Sequence, residues 1–225
     1  MLVLAIETTG LSGSVALAED ARLLAERTLT QGQRSAQSLI PSIDELLRGA
    51  GRRVAEIGLI GVAIGPGSFT GLRVGVTAAK TLAYAIGAQT VGIDTLDALA
   101  AQAPAGTTDA RLHAILDAQR QELFAATFAW RNDTWLRATG TAIVSVTTWL
   151  ETLKSGDLAI GPTEARLSAK LPGGVHVVDD ELNQPQAATI ARLAFQDFQR
   201  GRMDDFWKLA PAYYRPSAAE EKARQ

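Results

Sequence analysis

Cysteine is absent from the 225 residues. Its absence excludes disulfides and thiolate metal sites and fits a cytoplasmic protein. Histidine is nearly as scarce, with only His113 and His176. Both fall in expected strands with no local H-x-x-H or H-x-x-x-H pairing. They are expected to pack or hydrogen-bond rather than to converge on a metal ion. A surplus of positive charge is also missing: 22 Lys and Arg stand against 24 Asp and Glu, a net charge of -2. That balance disfavours direct, tight nucleic-acid binding. No apolar run reaches the length needed to cross a membrane. The opening run Met1 to Ile6 has no basic start and breaks at Glu7, so it reads as a strand rather than a signal peptide. With neither a G-x-S-x-G pattern nor a cysteine, nucleophilic catalysis has no local support. What is present is a hydrophobic fraction of 47%, enough for the core of one large domain or two small ones.

The most organised stretch runs from Ile64 to Gly75, Ile-Gly-Pro-Gly-Ser-Phe-Thr-Gly-Leu-Arg-Val-Gly. An apolar run, Ile57 to Ile64, precedes it and reads as a buried strand. Leu72, Val76, Ala79, Leu82, Ala83 and Ile86 follow at helical spacing. The glycines therefore occupy a strand-to-helix turn, where backbone can approach a ligand and a helix start offers unpaired N–H groups. Phosphate is the usual guest of such a turn. Gly65, Gly67 and Gly71 are spaced too widely for G-x-G-x-x-G, and no Gly-Lys-Ser/Thr is present. Two readings stay open: anion binding, or a tight turn that uses glycine for packing with Ser68 or Thr70 as the helix cap.

Along the chain, strands are expected over Leu2 to Thr8, Ser14 to Ala18 and Leu23 to Leu29. A helix is expected over Ser35 to Ala50, then the Ile57 strand and the helix ending at Ile86, a strand over Thr90 to Ile93 and a helix from Leu96 to Ala101. This β-β-β-α-β-α order is the signature of the ribonuclease-H-like unit, which is duplicated in sugar kinases, actin and chaperone ATPases. Gln102 to Asp109 reads as a linker. A shorter copy of the order follows. It has strands over Leu112 to Leu116, Leu123 to Trp130 and Ala142 to Val146, with a polar stretch at Arg131-Asn132-Asp133. A helix over Thr148 to Lys154, a strand over Leu158 to Ile160, a short helix over Glu164 to Lys170 and a strand over Val175 to Val178 complete it. A last helix covers Ala187 to Gln199. The expectation is an α/β protein with a duplicated actin-like ATPase (ASKHA) fold and a reduced second lobe. Residues 1–103 form the first lobe, joined by 187–225, and residues 104–186 form the second.

Few residues offer chemistry. Glu7 ends the first strand, where this fold usually places a metal-holding carboxylate facing phosphates; a solvated or turn-capping carboxylate is the competing reading. Asp94 and Asp97 could form an acid–base pair, but Thr95 as helix cap and Asp97 in a first turn explain them more simply. Arg73 lies in the first turn of a helix, against the dipole, which suggests an anion, a partner or a carboxylate beside it.

Leu4-Ala5-Ile6-Glu7-Thr8, Leu39 to Leu47, Gly65 to Gly75, Ala79 to Ala83 and Pro211-Ala212-Tyr213-Tyr214-Arg215 resemble the TsaB (YeaZ) family. These bacterial proteins are needed to make threonylcarbamoyladenosine on tRNA. The resemblance is dense over residues 1–101 and thin afterwards, until the Tyr-Arg tail. The paralogous TsaD enzymes carry a His-x-x-x-His metal pair after the glycine motif, and the matching positions here are Thr95 and Leu99. A hydrocarbon cannot ligate a metal, and a hydroxyl substitutes poorly for imidazole. The resemblance therefore implies a non-catalytic, cytoplasmic scaffold that pairs with TsaD, meets TsaE on the assembled pair, forms a homodimer when alone and reaches tRNA only through the complex. It implies no metal and no cofactor of the chain's own, with ATP or ADP left open at the level of the complex, and no membrane contact.

The family's contact packs first-lobe helices, which places Leu39, Ile43, Leu72, Arg73, Gly75, Val76, Ala79, Lys80 and Ala83 at the interface. The helix to Ile86 is apolar on nearly all sides, as expected of one covered on more than one face. Glu7, Thr8, Gly65, Gly67, Ser68 and Thr70 would then be a vestigial phosphate or nucleotide site. Two departures from the family pattern, Ser35 for a common histidine and Glu7 for a common aspartate, leave helix packing intact. The alternatives are a nucleotide-hydrolysing ASKHA enzyme using Glu7 and the glycine loop, and an inactive homologue of a peptidase family.

Overall fold

A computed structural model describes residues 1–10, 12–29, 35–107, 109–162, 167 and 169–215. The chain divides into two compact units, 1–95 with 186–225, and 96–185.

The first unit is built on β1 (Leu2–Glu7), β2 (Ser14–Glu19), β3 (Arg22–Thr28), α1 (Ser35–Gly49), β4 (Ile57–Gly65), α2 (Phe69–Ile86) and β5 (Gln89–Asp94). Its sheet runs β3-β2-β1-β4-β5. The β1–β2 and β2–β3 pairs are antiparallel, and the β1–β4 and β4–β5 pairs are parallel. β1 is buried along its whole length, as a strand covered on both faces must be. Leu4 and Ile6 pair with Ile60 and Val62 and share a core with Leu39 and Ile43 of α1 and Val76, Ala79 and Ala83 of α2. The opposite parity takes the other face, where Gly61 lies directly beneath Ile190 and Ala194 of the last helix (Ala187–Gln199). The result is a three-layer α/β/α arrangement.

The second unit contains α3 (Thr95–Ala100) after its first residue, then β6 (Arg111–Asp117), β7 (Glu122–Arg131), β8 (Thr134–Arg137), β9 (Ala142–Ser145), α4 (Val146–Thr152), β10 (Leu158–Ile160) and β11 (His176–Val177). Its sheet runs β11-β10-β6-β7-β8, and β9 also pairs with β7. Because β8 pairs with Phe128–Arg131 and β9 with Glu122–Ala125, the two are halves of one interrupted strand. With that recognised, the second sheet repeats the order of the first, strand for strand. The fold is the duplicated actin-like one expected.

Three differences from expectation have physical causes. The division falls at Thr95/Leu96 rather than after residue 103, because Leu96, Leu99 and Ala100 pack with Leu112, Phe128 and Ile160. β8 was not expected: Asn132 and Asp133 take φ of 50° and 58°, the left-handed pair of a two-residue hairpin, where only a polar stretch was read. α2 starts at Phe69 rather than Leu72, because Ser68 caps it. The helix expected over Glu164 to Lys170 falls largely outside the described residues. The last helix is named α5 below.

Candidate functional site

The turn after β1, the loop before α2 and the tail after α5 form one cluster in the first unit. Thr8 and Thr9 are buried. The Thr8 hydroxyl donates to the Gly71 carbonyl at 2.8 Å, and the Ser68 N–H donates to the Thr9 carbonyl at 2.8 Å. Ser68 also caps α2 by accepting from the Gly71 N–H at 3.2 Å. This contact explains the glycines. A Cβ on Gly71 would overlap the Thr8 carbonyl oxygen, and one on Gly75 would overlap the Thr8 hydroxyl. Gly67 has φ of 153°, and a Cβ there would lie 2.5 Å from Thr9 Cβ. The glycines of this loop are thus accounted for by close contact with Thr8 and Thr9.

Glu7 is sealed beneath this turn, with 0% exposure. Its Oε1 accepts from the Thr9 N–H at 2.5 Å and from the Thr9 hydroxyl. Its Oε2 is buried and has no partner among the described residues. Burial raises its pKa from 4.5 to about 7, outweighing the Thr9 bonds that favour the charged form. A carboxyl in that state is partly neutral at physiological pH. It is poorly placed to hold a metal ion, which needs a charged and reachable ligand.

The tail closes the third side. The Ala212 N–H donates to the Ile64 carbonyl at 2.7 Å, and its own carbonyl lies where a Cβ on Gly65 would reach, at 2.9 Å. Arg73 donates from Nε to the Tyr213 hydroxyl at 3.0 Å, and its guanidinium lies 4.0 Å from the Phe69 ring centre. The Phe69 and Tyr213 rings are 4.9 Å apart. Tyr214 donates to Asp94 at 3.1 Å. Lys80 donates to the carbonyls of Trp207 and Leu209 at 3.1 and 3.0 Å. Ala212, Tyr213 and Trp207 were not anticipated as part of this cluster. The sequence signals were the aromatic pair between prolines and the expected return of 187–225 to the first lobe, and neither carries a hint of the partner side chains.

The residues expected at a partner interface are mostly interior. Leu39, Ile43, Leu72, Val76, Ala79 and Ala83 have at most 4% exposure, and Gly75 is buried against Thr8. They are corrected to core positions: β4, β1 and α1 cover this side of α2 within the unit, while Arg73, Thr77, Thr81 and Tyr84 lie on its exposed side. Of the nine, Arg73 is exposed and Lys80 half-buried, and both are engaged with the tail. Among the other surface residues of these helices, Ile40 is 52% exposed and Tyr84 67%.

Thr95 and Leu99 are both fully buried. Thr95 opens α3 with its hydroxyl buried and unpartnered among the described residues, so it does not act as the expected cap. Asp94 accepts from Tyr214, and Asp97 accepts from Arg137 at 2.8 Å. His113 lies 3.2 Å from Asp157, which also forms a two-point ion pair with Arg111. Burial lowers the His113 pKa despite Asp157, leaving a neutral imidazole. Among the described residues no group of three His, Cys, Asp or Glu is placed to hold a metal ion.

Residues 22–202 match the family model described as TsaD: tRNA N6-adenosine threonylcarbamoyltransferase. The tRNA threonylcarbamoyladenosine biosynthesis protein TsaB of Bacillus subtilis is 30% identical over 157 residues, 70% of this chain and 68% of that one. Its Escherichia coli namesake is 27% identical over 99% of this chain and 98% of its own. YeaZ from Pseudomonas aeruginosa superposes with a TM-score of 0.79 at 25% identity, covering 94% and 99% of the two chains. The ROK hexokinase of Thermus thermophilus, at a TM-score of 0.51 and 12% identity, shares the fold alone. With a continuous glycine motif, a docked tail and likeness over 70% to 99% of its length to the TsaB and YeaZ proteins, the chain belongs to the TsaB (YeaZ) branch of the TsaD family.

Proposed function

We propose that this protein is a non-catalytic scaffold in the synthesis of N6-threonylcarbamoyladenosine on tRNA. It pairs with a TsaD-type transferase, meets TsaE on the assembled pair and touches tRNA only through the complex, in the cytoplasm. Its likeness to the TsaB proteins of Bacillus subtilis and Escherichia coli supports a place in that synthesis. The observation that carries the scaffold reading is Thr95 and Leu99. Where the paralogous enzymes hold a metal between two imidazoles, this chain has a buried hydroxyl and a buried hydrocarbon. The nucleotide-hydrolysing alternative gains nothing from the glycine loop, whose carboxylate is sealed and whose glycines serve packing.

The burial of α2 moves the proposed contact to the exposed sides of α1 and α2, with Ile40 and Tyr84 as its apolar points. The same surface would serve a homodimer when the chain is alone. Reconstitution with the TsaD-type enzyme and TsaE of the same organism, tRNA, ATP and a labelled threonylcarbamoyl donor tests the reading. The isolated chain should transfer no label, and the full mixture should. Transfer by this chain alone overturns the proposal. Ile40→Glu should weaken capture of the TsaD-type partner about tenfold or more without lowering stability. Unchanged capture moves the contact elsewhere.

A further inference from the structure

The second unit contains a cavity of about 260 Å³ over its sheet, beside α4. Its floor follows from strand parity. Arg111 and His113 of β6, Ala125 and Thr127 of β7 and Ala142 of β9 share one face. Most of these are small, and α4 has only seven residues, so the helix covers the neighbouring Ile115 and Leu123 and leaves this part open.

The polar groups around it are unusual for a packing defect. The Trp149 ring is 2% exposed and lines the cavity, yet its indole N–H is buried with no partner among the described residues. A buried donor left unpaired is costly, and native proteins seldom keep one without use. Arg111 is fixed from one side only. Its Nε and Nη2 are held by Asp157 and by the Thr152 carbonyl, and no bond from Nη1 is found among the described residues. Asp157 is itself held by the Lys154 N–H at 2.8 Å, so the arginine is anchored rather than mobile. His113 stands edge-on to Trp149, with ring centres 6.3 Å apart. The cavity therefore joins an anchored guanidinium edge and the Trp149 ring, whose own N–H is sealed, with small apolar walls.

We propose that this cavity is a binding site for a small carboxylate, whose oxygens accept from Arg111 Nη1 beside the Trp149 ring while its carbon end lies against Ala125 and Ala142. A guanidinium edge presents parallel donors that match a carboxylate. Asp157 already shares the charge of Arg111, so affinity is set by the donors and the walls and is millimolar in order for a three-carbon acid.

Propionate is the probe, read on the indole ¹⁵N–¹H resonances of the four tryptophans. Trp149→Phe identifies the Trp149 peak. Titration of the full chain with propionate should move that peak saturably, leaving Trp130, Trp135 and Trp207 in place. Arg111→Lys keeps a cation for Asp157 but loses the planar edge, and it should weaken the response about tenfold. Ala125→Leu fills the floor without touching a charge and should abolish it, with the other three peaks reporting an intact fold. A Trp149 peak that does not move with propionate overturns the site. An equal response to propionamide overturns the choice of a carboxylate. A response retained in Ala125→Leu overturns the location.

Discussion

Glu7 and Asp117 occupy the same place in the two copies of one fold. Each ends the first strand of its sheet, and each accepts from the backbone N–H two residues on, at 2.5 Å from Thr9 and 2.7 Å from Gln119. Yet Glu7 is sealed and Asp117 is exposed. The difference lies in what closes over the strand end. In the first unit Gly67, Ser68 and Gly71 bring the start of α2 onto Thr8 and Thr9, and the tail braces the loop from the far side. In the second unit the turn after β6 is made by Gln119, Arg120 and Gln121, all at positive φ, and its acidic residue stays at the surface. One copy has turned its strand end into core, and the other has kept it open. Burial here is a property of the connecting loop, not of the repeated sheet.

The largest test of that contrast is steric. Gly71→Ala places a methyl on the Thr8 carbonyl oxygen, with backbone on both sides and no flexible atom to yield. A loss of about 4 kcal/mol or more is expected, read by chemical denaturation. Gly161, which follows β10 much as Gly65 ends β4, has φ of 134°, and a Cβ there would overlap the Ile115 carbonyl oxygen. Gly161→Ala should destabilise as severely. Gly140→Ala, at the cavity rim with nothing within 4 Å, should stay within about 0.5 kcal/mol. Equal tolerance at all three positions would mean that the loops are not locked as described.

The next test uses titration, in which the two units have opposite signs. The folded Glu7 carboxyl keeps its proton up to about pH 7, whereas an unfolded one loses it near 4.5. The folded state therefore binds more protons between those values. Stability is full below pH 4.5 and falls by about 3 kcal/mol as pH rises to 7. Glu7→Gln should remove that slope and raise stability at pH 8. In the second unit His113 is held neutral by burial, below its ordinary 6.5. Its contribution is present above pH 6.5 and is lost as pH falls below that value. Unfolding midpoints across pH 4 to 8 for Glu7→Gln and for His113→Phe should shift in opposite senses. A Glu7→Gln profile parallel to the parent would show that Glu7 ionises normally.

The regular elements were legible because their periodicity is strong. β1, β4 and α2 lie within a few residues of their expected bounds. The duplication was legible in element order, although its clearest local sign was overlooked: Ile160-Gly161-Pro162 repeats Ile64-Gly65-Pro66. The chain diverges immediately afterwards, so the match is short. β8 is hard to read from sequence because Asn132-Asp133 looks like any polar stretch until its backbone is known to take the left-handed pair of a hairpin. The interface residues failed for a more general reason. A mostly apolar helix reports that its apolar sides are covered but not by what, and here the cover for Val76, Ala79 and Ala83 lies within the unit. Tyr213 was illegible in a different way. Its partner Arg73 lies 140 residues earlier, and no local pattern encodes a contact of that range.

The smallest effect tests whether the tail braces the loop or merely lies beside it. Arg73 is exposed, so its ring contact with Phe69 and its bond to Tyr213 together amount to about 1 kcal/mol. Tyr213→Phe keeps the ring beside Phe69 and removes only the acceptor, at about 0.5 kcal/mol. If the two side chains act as one clasp, the double variant Arg73→Ala with Tyr213→Phe should cost less than the sum of the singles, by about 0.5 kcal/mol. Additive losses would mean that they act independently. The tail's hold on the first unit would then rest on its other bonds, Ala212 to Ile64, Asp204 to Thr90, Lys80 to Trp207 and Leu209, and Tyr214 to Asp94. The second unit, whose glycine turn is closed by its own strand carbonyl, would differ from the first in needing no clasp.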